Sequence, residues 1–285
     1  MTPLVLELAA ALRRNPVPYL LAVAMGANVG STATITGNPQ NIIIGAISHL
    51  TYLQFITALA PVAIVALVLT VLLIVAVHRD EFFTRDRFEV LQPRAVRYHR
   101  GLVIKTLVIT LAMIVLFFAG LPVARVAILA GALLLVTRRV KPEKVYFDID
   151  WPLLVMFAGL FIVVAALEKT VIGPDAVAAI GRLNLGATPA LSAVTAVLSN
   201  LVSNVPAVLV LKPFVAGFGN PDHAWLVVAM ASTLAGNFAL VGSVANLIVV
   251  ERARRAGVTI TFWQHLRVGV PVTLITLALG VWWLT

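Results

Sequence analysis

The chain has 285 residues, 61% hydrophobic and 12% charged, with a mean hydropathy of +1.02; no water-soluble core hides that much apolar surface, so the composition excludes a soluble domain and requires a bilayer. The net charge of +9 comes from basic residues grouped in loops, with no basic stripe interleaved with aromatics, and nucleic acid is set aside as a partner. The absence of cysteine rules out disulfides, thiolate metal sites and redox-active thiols.

Apolar runs long enough to span a hydrocarbon core about 30 Å thick occur at 53–77, 101–119, 121–137, 151–167 and 266–284. In chain order, residues 2–12 come first. They are apolar but shorter than the roughly 20 residues a crossing needs. Their basic pair, Arg13 and Arg14, follows the apolar run and no small-residue cleavage site comes after it, so this is a piece of helix and not a signal peptide. It reads as one arm of a re-entrant hairpin on the cytoplasmic side. Residues 17–49 follow as a helix broken at "GSTATITGNPQN" (30–41), and 53–77 as a full span. The polar stretch 79–100 is a cytoplasmic joint. Spans are expected at 101–119, 121–137 and 151–167, then an external amphipathic stretch at 174–183. A second hairpin is expected at 187–216 with its tip near "SNLVSN", a second broken helix at 223–250 and a last span at 266–284.

Placing Arg13, Arg14, the 79–100 loop, Lys105, "RRVKPEK" at 138–144 and Arg252, Arg254, Arg255 and Arg267 on one side collects 17 of the 21 Lys and Arg. That side is cytoplasmic by the positive-inside rule, and the protein is a multi-pass component of the cell (inner or plasma) membrane. The five tryptophans, Trp151, Trp225, Trp263, Trp282 and Trp283, lie near the ends of apolar runs and are expected to be interfacial anchors.

Residues 21–44 overlay 226–249 without a gap, with seven of 24 positions identical, among them Met25 on Met230, Gly37 on Gly242 and Asn41 on Asn246. The likeness extends to 2–8 on 205–211 and to 59–71 on 269–281. With the basic loops held inside, the two copies are antiparallel, an inverted repeat of the kind that secondary transporters use. Three regions follow: 1–78 as the C-terminal part of the first repeat, 79–100 as the linker and 101–285 as the second repeat. The second copy is preceded by about 100 residues (101–204) with no counterpart before the first. The expectation is therefore that an N-terminal part of the first repeat is missing.

A backbone that stops being helical inside hydrocarbon must have its N–H and C=O groups satisfied by protein, ions or water. "GSTATITGNPQN" supplies Gly30, Gly37 and Pro39 to break the helix, and Ser31, Thr32, Thr34, Thr36, Asn38 and Asn41 as amide and hydroxyl ligands, with Asn28 just ahead of it. Gly236, Asn237, Gly242, Ser243 and Asn246 repeat the theme. Ser199, Asn200, Ser203 and Asn204 mark the hairpin tip before Pro206. Hairpin arms of about 12 residues, roughly 18 Å as helix, reach halfway across, so tip and broken helices meet near the midplane. Half-helix N-termini there suit an anion, and carbonyl ends with Asn or Ser oxygens suit Na⁺. The competing reading is close packing of helices through small residues; it stays open for each single hydroxyl.

Glu7 is the one candidate for a deep carboxylate, with a place near the cytoplasmic surface as the alternative. Lys212 is expected to snorkel, and Glu168 with Lys169 to form an interfacial pair. His49, His78, His99, His223 and His265 show no metal-ligand spacing and are given loop or helix-end roles. No HExxH, nucleotide-binding loop or aspartate-rich prenyl-transfer motif occurs, so neither an enzyme nor an ATP-driven pump is expected within this chain.

"GANVGSTATITGNPQNIIIG", "LSNLVSNVPAVLVLKPF" and "ASTLAGNFALVGSVANLIVVERAR" resemble the ion transporter superfamily, in its branch of arsenical pump membrane proteins and citrate-type carriers. The resemblance implies an all-α, polytopic, dimeric elevator-type secondary transporter with Na⁺ or proton coupling. Its site is made where hairpin tips face unwound loops, here 199–204 facing 30–41 and 235–246. Dicarboxylate carriers of this kind have Ser-Asn-Thr at their tips, whereas here Leu201 follows Ser199-Asn200 and Val205 follows Ser203-Asn204. That departure leaves a dicarboxylate cargo unsupported. Arsenite would be recognised as a neutral trihydroxide by Ser, Thr and Asn. The expectation is an ion-coupled carrier of a small anion or metalloid oxyacid, with no metal or organic cofactor and Na⁺ as a coupling ion. The full-length protein is expected to form a homodimer. The alternatives are a Na⁺/H⁺ antiporter and a non-transporting membrane subunit or fragment.

Overall fold

Prolines and capping side chains set the helix ends here, because composition is apolar almost throughout. The computed structural model describes residues 1–83, 100–136 and 185–285, with scattered positions between 146 and 166. Every regular element among them is helical. The amphipathic stretch at 174–183, the 138–144 loop, His99 and the Glu168–Lys169 pair lie outside the described residues, and so does about half of the expected span at 151–167.

Helix α1 is Thr2–Ala11. Helix α2 (Pro16–Ser31) starts under Asn15, whose side chain accepts from the Val17 amide at 3.1 Å. Helix α3 (Pro39–Ile47) starts under Asn38, with Pro39 in the first turn where a missing N–H costs nothing. Helix α4 is Tyr52–Val77, followed by a short turn of helix, α5 (Arg79–Phe82). Helices α6 (Arg100–Phe118) and α7 (Val123–Leu135) come next. The C-terminal region contains α8 (Thr188–Val202), α9 (Asn204–Val215), α10 (Pro221–Ala235), a 3₁₀ turn at Leu240–Gly242, α11 (Val244–Arg255) and α12 (Phe262–Leu284). The last begins in a reciprocal capping box between Thr261 and Gln264.

Three of these, α4, α6 and α12, are long and apolar enough to cross a membrane. Their outward faces carry bare aliphatic side chains such as Ile64, Val68, Leu107 and Leu274, the signature of helices solvated by lipid. The chain is an all-α polytopic membrane protein. Trp151, Trp263, Trp282 and Trp283 are exposed, in keeping with an anchoring role, but Trp225 is 4% exposed. It is a packed core residue in the first turn of α10, because a proline-started helix end can be covered by its neighbours as readily as it can meet the interface.

The described residues fall into two units. One comprises those of Thr51–Leu53 and Gln92–Thr170, in which α6 and α7 pack together. They are antiparallel: Lys105 Nζ, early in α6, donates to the carbonyls of Leu134 and Val136 at the end of α7, at 3.5 and 3.4 Å. The other unit comprises those of Met1–Leu50, Gln54–Leu91 and Val171–Thr285, and it holds every residue of the site described below.

In that larger unit the two segments matched in sequence fold alike. Each is an α-helix that stops, crosses a short stretch without α-helix (32–38 and 236–243) and resumes. The spans that follow bury matching positions, Phe55 with His265, Leu59 with Gly269, Val62 with Val272, Ala63 with Thr273, Ala66 with Thr276 and Thr70 with Gly280. The core beneath combines Leu20, Leu21 and Met25 of α2 with Val249 and Ala253 of α11 and Val268 and Val272 of α12. Lipid offers no hydrophobic drive for such contacts, so close packing holds them.

Candidate functional site

The polar side chains gather where helices stop. In the first broken helix, Asn41 Nδ2 donates to the carbonyls of Ser31 and Thr34, both at 3.1 Å, while Asn38 Oδ1 caps α3 by accepting from the Asn41 amide at 2.8 Å. In the second, Asn246 Nδ2 donates to the carbonyls of Gly236 and Ala239 at 3.0 and 3.3 Å, and Ser243 Oγ caps α11 by accepting from the Asn246 amide at 3.1 Å. The same amide holds the same pair of carbonyls in both copies. These are peptide groups that a broken helix in hydrocarbon would otherwise leave orphaned.

Gly37 and Gly242 explain why the stretches fold back so tightly. A Cβ on Gly37 would fall on the Ser31 carbonyl oxygen, and one on Gly242 would lie 2.8 Å from the Gly236 oxygen and 3.2 Å from Asn200 Oδ1. Gly30, by contrast, is still helical and has open space beside it. It is not a point of closure.

The two stretches are bonded to each other crosswise. Asn28 Nδ2, at the end of α2, reaches Ser243 Oγ at 2.7 Å, Asn237 Oδ1 at 3.0 Å and Asn246 Oδ1 at 3.4 Å. Asn38 Nδ2 reaches Thr233 Oγ1 at 3.0 Å and Ser31 Oγ at 3.0 Å, and Gln40 Nε2 reaches Thr233 Oγ1 at 3.3 Å. The start of α3 thus meets the end of α10, and the His49 amide just after α3 donates to Asp222 at the start of α10, at 3.3 Å. The two broken helices therefore run antiparallel.

The hairpin tip is sharper than the sequence suggested. Ser199 and Asn200 remain in the last turn of α8, Asn204 opens α9, and Ser203 alone makes the turn at φ 76°, ψ 159°. That region is strained for any residue with a Cβ. Asn200 Nδ2 donates to the Ala196 carbonyl in its own helix and to the Ala235 carbonyl at the end of α10, at 3.0 and 3.1 Å. The tip is thereby pinned to the second broken helix.

Several buried polar atoms at these stops have no partner: Asn41 Oδ1, Asn200 Oδ1, Asn204 Oδ1, Ser199 Oγ and Asn237 Nδ2. Leaving a buried group unmade costs about 1–3 kcal/mol; Ser192 Oγ, Thr195 Oγ1, Thr273 Oγ1 and His78 Nε2, away from the stops, are likewise unpartnered. Of the other expected residues, Ser31 donates through Oγ to the Asn28 carbonyl at 2.7 Å, and Thr32, fully buried, is 3.5 Å from the same oxygen. Both make the back-bond to a preceding carbonyl that small hydroxyls make in any helix. Thr34 contributes its carbonyl, and Thr36 and Ser203 are exposed.

Apart from Asp222, which accepts from the His49 amide away from the stops, every side chain in the bonds just described is neutral. Glu7 is exposed in a groove it shares with Arg252 and Arg255, and Lys212 sits in the last turn of α9, at the far end from the tip. Thr233 and Gln40 were not anticipated. Thr233 lies opposite Asn28 in the ungapped overlay, which was a usable signal. His265 does lie at a helix end, the fourth residue of α12, but it is 1% exposed, with Nε2 3.0 Å from the Asn237 carbonyl oxygen. Extending the overlay of the final spans back by one turn sets it against Phe55.

Comparison with known proteins fits this arrangement. A sequence family described as citrate transporters matches residues 1–235. The silicon efflux transporter LSI3 of Oryza sativa subsp. japonica is 30% identical over 99% of this chain and 73% of its own length. The 46 kDa membrane protein of Mycobacterium leprae is 30% identical over 98% of this chain and 70% of its length. The putative transporter arsB of Dictyostelium discoideum is 34% identical over 61% of this chain and 32% of its length.

Proposed function

The chain belongs to the citrate transporter family, and from that premise we propose that it carries a small, uncharged, hydroxylated metalloid acid, of the arsenite or silicic acid kind, across the cell membrane. One observation carries this reading: the buried acceptors Asn41 Oδ1, Asn200 Oδ1 and Asn204 Oδ1 have no donor, and no charged side chain takes part in the bonds around them. An undissociated acid such as As(OH)₃ or Si(OH)₄ brings O–H donors and no net charge. A carboxylate brings acceptors only, and its charge would be buried without a cation, which is costly. The names of the silicon efflux relative and the arsB relative favour the same class of cargo.

An ion gradient drives the movement in this reading, with Na⁺ or a proton as the coupling ion. The 1–78 and 101–285 repeats supply the two halves of the site, the basic loops face the cytoplasm, and the working form is a homodimer. A Na⁺/H⁺ antiporter has less support, since the described polar constellation contains no carboxylate.

The test is transport in proteoliposomes of the purified chain, comparing arsenite, silicic acid and citrate. Arsenite or silicic acid should move. Asn41→Ala, Asn200→Ala and Asn204→Ala should each lower the rate about tenfold, the equivalent of one lost hydrogen bond of roughly 1.4 kcal/mol. Citrate transport with both hydroxylated acids inert would overturn the proposal.

A further inference from the structure

At one buried position the two copies of the larger unit differ in titratability. Phe55 of α4 and His265 of α12 occupy matching places, 0% and 1% exposed, so an aromatic ring is what packing requires there. Only the second copy makes that ring titratable. Its Nε2 lies 3.0 Å from the Asn237 carbonyl oxygen, in the non-helical stretch between α10 and α11. Because the partner is a carbonyl, Nε2 carries the proton and donates. Gly269, one turn on, makes room: a Cβ there would lie 3.1 Å from Nε2, 2.9 Å from the Phe238 carbonyl oxygen and closer still to that of Asn237. The matching residue in α4 is Leu59. Asn237 in turn accepts from Asn28 Nδ2 at 3.0 Å and leaves its own Nδ2 unpartnered.

We infer that His265 is a proton-operated latch on the second broken helix, a positioning residue through which proton binding sets the conformation of the 236–243 stretch. The neutral ring holds Asn237 through its Nε2–H. Protonation keeps that donor and strengthens the bond, but it buries an imidazolium with no carboxylate against it. Desolvation of an unpaired buried charge outweighs the gain from one hydrogen bond, so binding of the proton loosens the hold. No carboxylate faces the ring to offset that charge. Helix α8 and the 3₁₀ turn carry no titratable side chain, and α10 carries Asp222 and His223 at its other end, where His223 Nε2 is 2.8 Å from the Leu284 carbonyl oxygen. Helix α2 offers Tyr19, which donates to Glu81. In α11, Glu251 pairs with Arg254 and Arg255, and Arg252 is exposed, as is Arg267 on α12 itself.

The chain's lack of cysteine gives a reporter that needs no cargo. Phe238→Cys, beside Asn237 and exposed, or Val241→Cys in the 3₁₀ turn, 66% exposed, is labelled with a maleimide across pH 5 to 8 in the His265, His265→Gln and His265→Phe backgrounds. Gln keeps an N–H donor without titrating, so dividing by its rate cancels the thiol's own ionisation. The normalised His265 rate should fall as pH rises, about tenfold for each pKa unit by which the held and released forms differ, and His265→Phe should be fast and flat. A normalised rate constant within about twofold across that range overturns the latch.

A second arm rests on the cargo proposed above: arsenite movement in proteoliposomes should respond to an imposed pH gradient with His265 and not with His265→Gln. Equal responses in both also overturn the latch. Labelling that titrates while neither arsenite nor silicic acid moves upholds the latch and sinks the cargo assignment instead.

Discussion

Replacing Asn41 or Asn246 by alanine removes one amide that holds two main-chain carbonyls where the chain has no helix to hold them. The four bonds lie between 3.0 and 3.3 Å, and neither asparagine is exposed. Leaving a buried acceptor unmade costs about 1–3 kcal/mol. Bonds between membrane helices average nearer 0.6 kcal/mol, roughly, because a chain unfolded in the bilayer finds other partners. Here the acceptors sit in short non-helical stretches closed on themselves by Gly37 and Gly242, so little relaxation is open to them. We expect about 1–2 kcal/mol per carbonyl and hence about 2–4 kcal/mol per variant. At roughly 2–4 °C per kcal/mol for a chain near this size, the unfolding midpoint falls by roughly 5–15 °C. Tryptophan fluorescence of the purified chain, heated in detergent, measures it. The two variants should fall alike, since the two amides act on matched carbonyls. Midpoints within about 2 °C of the parent in both would show that something else holds the broken helices, and the reasoning would be wrong.

Gly37→Ala drives a methyl into the Ser31 carbonyl and Gly242→Ala crowds the Gly236 carbonyl, whereas Gly30→Ala enters open space. Size-exclusion profiles should therefore be degraded by the first two and unchanged by the third; a tolerated Gly37→Ala would refute the tight closure. His78, just past the end of α4, is pushed below its ordinary value by burial, with Glu81 opposing the shift. The folded state thus holds fewer protons than the unfolded one, and the stability tied to His78 is present above about pH 6.5 and lost as pH falls below it. His78→Gln should flatten the acid limb of a midpoint-against-pH curve, and an unchanged limb would exclude His78 as its cause.

The helices were legible because run length, proline and capping residues act locally: the breaks near Gly37 and Gly242 and the spans beginning near Tyr52 and Phe262 all follow from them. The overlay of the two broken helices was legible too, since Asn41 and Asn246 perform one function that only an amide at that spacing can perform. What escaped depends on which face a residue turns to its neighbours. Trp225 and His265 sit near helix ends, where sequence suggests an interface, yet packing by other helices buries both. The tip escaped in part because two Ser-Asn pairs suggest a polar loop, while the backbone turns at Ser203 alone. Thr233 and Gln40 escaped because a hydroxyl or amide in an apolar helix has no local signal for the partner it meets across the fold.

Asparagine recurs at these stops for a reason its neighbours on the amide-to-acid scale cannot supply. Asn41 spends its Nδ2 on two carbonyls, and Asn200 does the same on Ala196 and Ala235; each is thereby fixed in orientation with an unpartnered Oδ1 left over. Aspartate would present oxygens but could not donate to the carbonyls, and it would add a charge with no cation beside it. Serine has too few protons to hold two carbonyls, and glutamine adds a rotatable bond that loosens the aim. Asn246 is the informative exception, because its Oδ1 lies 3.4 Å from Asn28 Nδ2 and is turned toward the other broken helix. One copy thus directs its spare acceptor at the fold and the other leaves it open. In the cargo reading proposed above, the amide that secures the backbone would also set the chemistry offered to the cargo: acceptors without charge, suited to O–H donors.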